Sequence, residues 1–399
     1  MRQRILLPLE QFHRFLRQGV GPLINTVKLP SPGGRPEPIG ITGAELISSY
    51  NWMGRDVHRP GQTPTIMVPG GPPVVRSNVP LPMQLQRDGL PLDIDPNLNR
   101  LPITSRLLPL FQALELTRPN CRFDDVDIIT NRGDLMLLLS FCARSDRGSF
   151  RVEASVVQDS LVLDFWSKTP TRVYEDDAEH RGYGPEFEQA MTSYPRGLED
   201  SHSHWRVLRY KLGPLTCVVR YEADATTTSY GDFSARPGTI RHAPNNRSAT
   251  VIVGGRMTPQ GHGVEIKTGP PSYPLRYMYQ WIPKFWMGCT KHLVLGGQRH
   301  GLFDQVVMGN MEKRIDDWIR SAETQDAVAR LVRLIPALKQ AVQATSHGQA
   351  VLLFRQEPED EVEVYDAGER IPLVSHAMAR RFWDSARGER ELGEVNKNL

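Results

Sequence analysis

The chain has 399 residues, of which 39% are hydrophobic and 23% are charged, and its formal net charge is +3. This length and composition allow one large or two ordinary globular domains, and the balanced charge excludes a strongly basic surface devoted to nucleic acid. Any nucleic-acid site must therefore be a local groove.

Cysteine spacing and hydropathy limit the class of protein further. The four cysteines lie far apart with no Cys-x-x-Cys pair, which argues against a structural zinc site and is typical of a reducing compartment. The N-terminal apolar run is too short for a signal peptide, and no stretch approaches transmembrane length. We therefore expect a soluble, intracellular protein that makes no membrane contact.

The N-terminal quarter differs in composition from the rest. Residues 1–103 are rich in proline and glycine, which do not sustain long helices. They are predicted to form short strands and ordered loops wrapped over a core. Because no linker follows, residues 104–399 are predicted to form a single domain.

Strand-like and helix-like patterns alternate along that domain. This mixture predicts an α+β fold in which mixed β-sheets are flanked by helices. In chain order the predicted elements are a helix at 105–116, a buried helix or strand at 134–142, strands at 149–156 and 160–166, a helix beginning near Glu186, alternating strand and loop over 204–268, helices over 311–345 with a break near Pro336, strands at 349–355 and 361–365, and a closing helix at 375–387.

Two acidic tripeptides end β-branched runs: Glu222-Ala223-Asp224 and Glu265-Ile266-Lys267. Residues i and i+2 of a strand point to the same face, so Glu222 projects with Asp224, and Glu265 with Lys267. If the strands are neighbours, three carboxylates and one ammonium converge. Carboxylates suit Mg²⁺, and a lysine beside them can hold an attacking water or a scissile phosphate. The pattern is typical of a metal-dependent phosphodiesterase with a PD-(D/E)xK-like core, although cross-strand ion pairs on an exposed sheet give the same tripeptides.

Further motifs share the order of these tripeptides. Arg132-Gly133 and Gly184-Pro-Glu-Phe-Glu188 precede them, and Val207-Leu-Arg-Tyr-Lys-Leu-Gly213 lies between. Together the motifs resemble those of the DXO family of RNA decapping and 5′→3′ exoribonuclease proteins, which includes nuclear fungal members that activate an exoribonuclease. The likeness covers residues 125–300, and it implies that residues 104–399 form a catalytic domain.

The resemblance also implies a role for each matching residue. It makes Glu222, Asp224, Glu265 and Lys267 the catalytic group. Two divalent ions, Mg²⁺ or Mn²⁺, would be held by Glu188, Glu222, Asp224, Glu265 and the backbone carbonyl of Ile266. The RNA 5′ end would be bound by Arg132, Gly133, Trp205 and Lys267. Alone, Glu188 is equally well explained as a carboxylate stabilised by a helix dipole, and Arg132 as a surface-loop residue.

The chain departs from the family pattern at three positions, one of which is Trp205, where relatives have a smaller residue lining the substrate pocket. Asn131 stands where relatives carry a tryptophan beside the arginine. In the run Lys284-Phe-Trp286-Met-Gly288, glycine replaces the glutamine of a Trp-Trp-x-Gln segment. The departures at Asn131 and Gly288 put RNA positioning in question more than metal binding.

The sequence leaves several functions open. The first is an RNA 5′-end hydrolase that removes incomplete, triphosphate or NAD-type caps, with or without 5′→3′ exoribonuclease activity. The second is a non-catalytic scaffold that binds and activates a nuclear 5′→3′ exoribonuclease. The third is a DNA nuclease on the same core. Single-stranded RNA 5′ ends are the expected partner, no prosthetic group is expected, and the nucleus is favoured over the cytoplasm.

Overall fold

The computed structural model describes the following residues: 9–34, 37–54, 64–88, 92–93, 106–145, 148–166, 171–172, 182–228, 240–241, 249–270, 278–355, 360–368 and 372–383. The helices among them are α1 (Leu9–Leu16), α2 (Leu108–Thr117), α3 (Arg132–Cys142), α4 (Gly184–Met191), α5 (Ile282–Met287), α6 (Glu312–Arg320), α7 (Ala322–Gln343) and α8 (His376–Trp383).

The strands are β1 (Leu23–Lys28), β2 (Ile41–Met53), β3 (Thr65–Gly70), β4 (Val74–Val75), β5 (Met83–Gln84), β6 (Leu92–Asp93), β7 (Ile128–Asn131), β8 (Phe150–Val157), β9 (Ser160–Phe165), β10 (Thr171–Arg172), β11 (Thr192–Ser193), β12 (Ser201–Leu212), β13 (Leu215–Glu222), β14 (Ala225–Thr226), β15 (Ile240–Arg241), β16 (Thr250–Gly255), β17 (Gly263–Gly269), β18 (His292–Arg299), β19 (Leu302–Asn310), β20 (Gln349–Arg355) and β21 (Glu361–Asp366).

Within the described residues these strands form a large sheet of twelve, a small sheet of seven and a two-stranded ribbon. The large sheet runs β1-β21-β20-β8-β9-β7-β13-β12-β2-β3-β16-β15, and the small sheet runs β11-β4-β14-β17-β18-β19-β5. Both contain parallel and antiparallel pairs, such as parallel β7–β13 and antiparallel β12–β13 in the large sheet, and parallel β17–β18 and antiparallel β18–β19 in the small one. The predicted α+β architecture is therefore confirmed.

Helices cover both faces of the large sheet, as the alternation along β13 makes clear. Val219 and Tyr221 pack in one buried cluster with α3 and α7. Val218, which precedes Val219 and points to the opposite face, packs in another with α2 and α8. Period-2 alternation of apolar residues thus serves two cores, which a strand buried on both faces requires.

The small sheet has a core of its own, in which Phe187 of α4 stacks on Phe303 of β19 with ring centroids 4.5 Å apart. The chain passes from the large sheet to the small one between the end of β13 at Glu222 and the start of β14 at Ala225. The first acidic tripeptide is therefore the junction between the two sheets.

Most predicted elements match the observed ones within a few residues, and residues 134–142 prove to be helical. The break expected near Pro336 is wrong, because α7 continues through this proline and the helices separate at Ser321, whose hydroxyl accepts a hydrogen bond from the Thr324 amide. Pro336 is exposed, so water can solvate the carbonyl that loses its partner there.

The proline-rich N-terminal region contributes more than short strands. Its β2 has 13 residues and lies between β12 and β3 inside the large sheet. The division of the chain at residue 103 stays a prediction. Among the described residues, no helix is long and apolar enough to cross a membrane.

Candidate active site

The junction between the sheets brings the two tripeptides together. Asp224 comes directly before β14, which pairs antiparallel with β17 so that Ala225 lies opposite Val264. This register sets Asp224 beside the next residues of β17. The Ile266 amide donates to Asp224 Oδ2 at 2.8 Å and fixes the carboxylate.

Lys267 joins three oxygens of these segments. Its Nζ lies 3.0 Å from Asp224 Oδ2, 3.0 Å from Glu265 Oε2 and 2.7 Å from the Ile266 carbonyl oxygen. The expectation that Glu265 and Lys267 share a strand face is confirmed.

Two more cations complete the group. Lys284 Nζ lies 2.6 Å from Glu265 Oε2 and 3.5 Å from Asp224 Oδ1, and Arg132 Nη1 lies 2.5 Å from Glu265 Oε1. We call these five residues the site cluster: Arg132, Asp224, Glu265, Lys267 and Lys284. Sequence reasoning missed Lys284 as a site residue, although it is the one charged residue of the apolar run 281–287.

Arg132 is held on several sides. Its Nη2 donates to the Glu222 carbonyl at 3.2 Å, and its guanidinium carbon lies 4.4 Å from the centre of the Tyr221 ring. A Cβ at Gly288 would lie only 2.7 Å from Arg132 Nη1. The guanidinium therefore occupies the space that a side chain at position 288 would need, which explains the glycine in place of the family glutamine.

Charge balance decides ionisation in the site cluster. Burial alone would raise the pKa of Glu265, but Arg132, Lys284 and Lys267 hold this pKa well below its usual range. Burial also opposes the charged form of Lys267, yet Asp224 and Glu265 outweigh it and raise the pKa of the ammonium. We conclude that the contacts in the cluster are between charged groups.

The other two predicted metal ligands lie nearby but not among these contacts. Burial, followed by the charges of Asp224 and Glu222, raises the pKa of Glu188 well above its usual range. Glu222 is exposed, and its backbone carbonyl accepts a hydrogen bond from Arg132 of the cluster. Four predicted carboxylates thus lie near one another, with Asp224 and Glu265 at the centre.

The predicted RNA-binding residues occupy the surroundings of this centre. Trp205 lies opposite Glu222 in the β12–β13 pair and stacks on Tyr50 with centroids 6.4 Å apart. Gly133 lies in the first turn of α3, and a Cβ added there would meet nothing within 4 Å. Their roles in binding RNA stay predictions, as does phosphate binding by Arg132.

Asn131, where relatives carry tryptophan, belongs to a second buried group. Its amide nitrogen donates to Asp134 Oδ2 at 2.9 Å and to Asp164 Oδ1 at 3.0 Å, and its oxygen accepts from Arg220 Nε at 2.8 Å. We call Asn131, Asp134, Asp164 and Arg220 the Asn131 cluster. The residue is thus a structural bridge.

The donor set fits a divalent cation in kind. Asp224, Glu265 and the Ile266 carbonyl supply hard oxygens, and one oxygen of each lies within 3.0 Å of a single nitrogen, Lys267 Nζ. In the part of the chain that the structure describes, no three His, Cys, Asp or Glu side chains are arranged to hold a metal ion. These oxygens are therefore suitable ligands for a divalent cation, and in the structure they contact the side chains of Lys267, Lys284 and Arg132.

Comparison with known proteins places the chain in a family. Residues 39–383 match the family described as "Domain of unknown function (DUF8563)", and the chain belongs to this family. No curated protein matches it in sequence.

Solved structures share the fold. Rai1 of S. pombe in complex with 3′-FADP matches with a TM-score of 0.57 and 13% identity, over 86% of this chain and 98% of that one. Candida albicans Rai1 in complex with pU5 and Mn²⁺ matches with a TM-score of 0.57 and 13% identity, over 90% and 99%. Scheffersomyces stipitis Rai1 with (3′-NADP)⁺ and calcium gives 0.55 and 13%, over 90% and 98%. At the level of the fold, the resemblance to the DXO family is confirmed.

Proposed function

We propose that this protein is a metal-dependent hydrolase of RNA 5′ ends, which removes incomplete, triphosphate or NAD-type caps. One observation carries the proposal: Asp224, Glu265, the Ile266 carbonyl and Lys267 converge at the junction of the two sheets. The shared fold supports it, because Rai1 proteins of this fold were solved with pU5 and Mn²⁺ and with dinucleotides.

Each residue has a role that its chemistry allows. Two Mg²⁺ or Mn²⁺ ions would be held by Glu188, Glu222, Asp224, Glu265 and the Ile266 carbonyl. Once bound, such ions supply an activated water and stabilise the charge that develops on the phosphate oxygens.

The remaining residues would bind the substrate. Lys267 would hold the scissile phosphate or its attacking water. Arg132, Gly133 and Trp205 would receive the single-stranded 5′ end, where a planar guanidinium suits a phosphate and an indole suits a base. Continued 5′→3′ degradation after cap removal, and action in the nucleus, belong to the same proposal.

A second function is favoured by one feature of the site. All four side-chain oxygens of Asp224 and Glu265 contact protein cations, which a structural ion-pair network would also require. Such a network suits a scaffold that binds and activates a nuclear 5′→3′ exoribonuclease without hydrolysing RNA itself.

Hydrolysis of end-labelled substrates separates these functions. The purified protein is incubated with Mg²⁺ or Mn²⁺ and with RNAs that carry a monophosphate, a triphosphate, NAD or an unmethylated guanosine cap. Single-stranded DNA of the same sequence tests for a DNA nuclease. Asp224→Asn keeps the side-chain shape, and Asp304→Asn is the matched control because Asp304 lies exposed on β19 of the same small sheet.

We expect the wild type and Asp304→Asn to release the cap or the 5′ nucleotide. Asp224→Asn is expected to be slower by about 10²–10³-fold, the usual cost of one lost transition-state stabiliser. If the folded wild type hydrolyses no RNA, the scaffold is favoured. Equal rates on DNA and RNA would exclude specificity for RNA ends.

A further inference from the structure

The two central carboxylates have every oxygen in contact with a protein cation. Arg132 contacts Glu265 Oε1, and both Lys267 and Lys284 contact Glu265 Oε2. Lys267 also contacts Asp224 Oδ2. Lys284 lies 3.5 Å from the last oxygen, Asp224 Oδ1. A metal ion that binds both carboxylates would therefore share each oxygen that it uses with a protein cation, and the positive charges would repel each other.

Arg132 is the least able to leave. Its side chain is only 6% exposed, and besides Glu265 it contacts the Glu222 carbonyl and the Tyr221 ring. Displacing it would leave a buried guanidinium without its carboxylate, which is strongly unfavourable.

Lys267 is also anchored by the backbone. Its side chain is 15% exposed, and its closest contact, at 2.7 Å, is the Ile266 carbonyl of its own strand. Displacing it would break this contact and its ion pairs with Asp224 and Glu265.

Lys284 is the cation most accessible to solvent. Its side chain is the most exposed of the three at 26%, and among the described residues its ion pairs are with Glu265 at 2.6 Å and Asp224 at 3.5 Å. A lysine side chain is long and flexible, and its ammonium is strongly hydrated in water. Lys284 can therefore move to solvent without breaking a backbone contact of its side chain.

We propose that Lys284 competes with the divalent cation for the oxygens of Asp224 and Glu265, and that metal binding releases its ammonium. The inference rests on the proposed function and adds a residue that sets metal affinity. Lys284 is one of three cations that contact the two carboxylates of the site cluster, so a divalent ion that entered beside it would be repelled by its ammonium. The departure of Lys284 removes this repulsion, releases Asp224 Oδ1 from its contact with the ammonium, and leaves Glu265 Oε2 in contact with Lys267.

Mn²⁺ affinity tests this competition without any RNA. Free Mn²⁺ is titrated by electron paramagnetic resonance against the full-length wild type, Lys284→Met, Lys284→Arg and Lys291→Met. Methionine has nearly the length of lysine and no charge, whereas arginine keeps the charge. Lys291 is the matched control, because it is 44% exposed and pairs with Glu312 at 3.8 Å, outside the site cluster.

We expect Lys284→Met to bind Mn²⁺ about tenfold or more tightly than the wild type, which is the usual size of a coupling between two linked binding events. Lys284→Arg and Lys291→Met should stay near the wild-type value. Circular dichroism confirms that each variant is folded.

Unchanged or weaker Mn²⁺ binding by Lys284→Met would overturn the competition, even if the wild type binds Mn²⁺ and hydrolyses RNA. Tighter binding without hydrolysis would support the competition and reject the proposed activity. If no variant binds Mn²⁺, both proposals are wrong.

Discussion

The site cluster and the Asn131 cluster meet where β7 passes into α3, because Asn131 ends the strand and Arg132 begins the helix. Arg132 contacts Glu265 in the site cluster, whereas Asn131 bridges Asp134 and Asp164 in the Asn131 cluster. Glu265, Asp134 and Asp164 are all at most 4% exposed. Equal burial therefore does not produce equal ionisation.

The sign of the neighbouring charges makes the difference. Three cations hold the pKa of Glu265 below its usual range. Burial, and then the charge of Asp164, raise the pKa of Asp134 to about 7. Burial likewise raises the pKa of Asp164, although Arg106 and Arg220 oppose it. Burial favours the neutral acid in both clusters, and only the site cluster has enough positive charge to overcome it.

Removing Glu265 from the site cluster has the largest expected effect on stability. Glu265→Gln removes the carboxylate that Arg132 contacts and leaves Lys267 and Lys284 paired with Asp224. We expect the free energy of unfolding to fall by about 3–5 kcal/mol, the usual cost of breaking a buried ion pair. Urea denaturation measures it, with Asp304→Asn as the exposed control. A loss as small as that of the control would mean that the cluster contributes no stability.

The Asn131 cluster should depend on pH in a way that the site cluster does not. An acid whose pKa is raised on folding binds its proton more tightly in the folded protein. Its contribution to stability is therefore present at low pH and is lost as the pH rises from about 4 through about 7. Asp134→Asn removes this loss, so at pH 8 we expect the variant to be more stable than the wild type.

The expected gain is at most ~4 kcal/mol, from ~1.36 kcal/mol for each unit by which the pKa is raised. It should shrink as the pH falls toward 4. Denaturation at several pH values measures it, and Asp304→Asn again serves as the control. A constant difference between Asp134→Asn and wild type across this range would mean that Asp134 does not titrate there.

Asn131 itself should matter through its amide. Asn131→Ala leaves Asp134 and Asp164 without the shared N–H donor, which we expect to cost about 1–3 kcal/mol. Thermal unfolding at pH 6 measures the loss. Asn25→Ala is the matched control, because the Asn25 side chain makes an exposed local hydrogen bond to the Thr26 amide. Similar losses of stability in Asn131→Ala and Asn25→Ala would mean that Asn131 does not bridge Asp134 and Asp164.

The smallest expected effects come from adding one methyl group at Gly288, beside the Arg132 side chain, and at Gly133, in the first turn of α3. Gly288→Ala places a Cβ 2.7 Å from Arg132 Nη1, and we expect it to cost about 1–3 kcal/mol by displacing the guanidinium. Gly133→Ala meets no atom within 4 Å, and in a helix it should stabilise the protein by up to ~1 kcal/mol. Equal changes in melting temperature would mean that Arg132 does not require the glycine.

The sequence alone determined the local parts of the site. Alternation along a strand is a short-range rule, so Glu265 and Lys267 could be assigned to one face. A helix beginning near Glu186 was predicted from a local signal as well, and the observed helix begins at Gly184. The motif order then gave the fold, which the Rai1 structures share.

Only the tertiary structure decided which groups meet at the centre. Arg132 and Glu265 are 133 positions apart, so no local pattern could pair them. Lys284 joins the cluster because α5 packs against α3, the helix that carries Arg132, and Gly288 is required because Arg132 fills its space. Pro336 follows the same principle: the sequence predicted a break, but an exposed position let the helix continue. Strand faces and helix periods are set by the nearest residues, whereas charge balance is set by whatever the fold brings into contact.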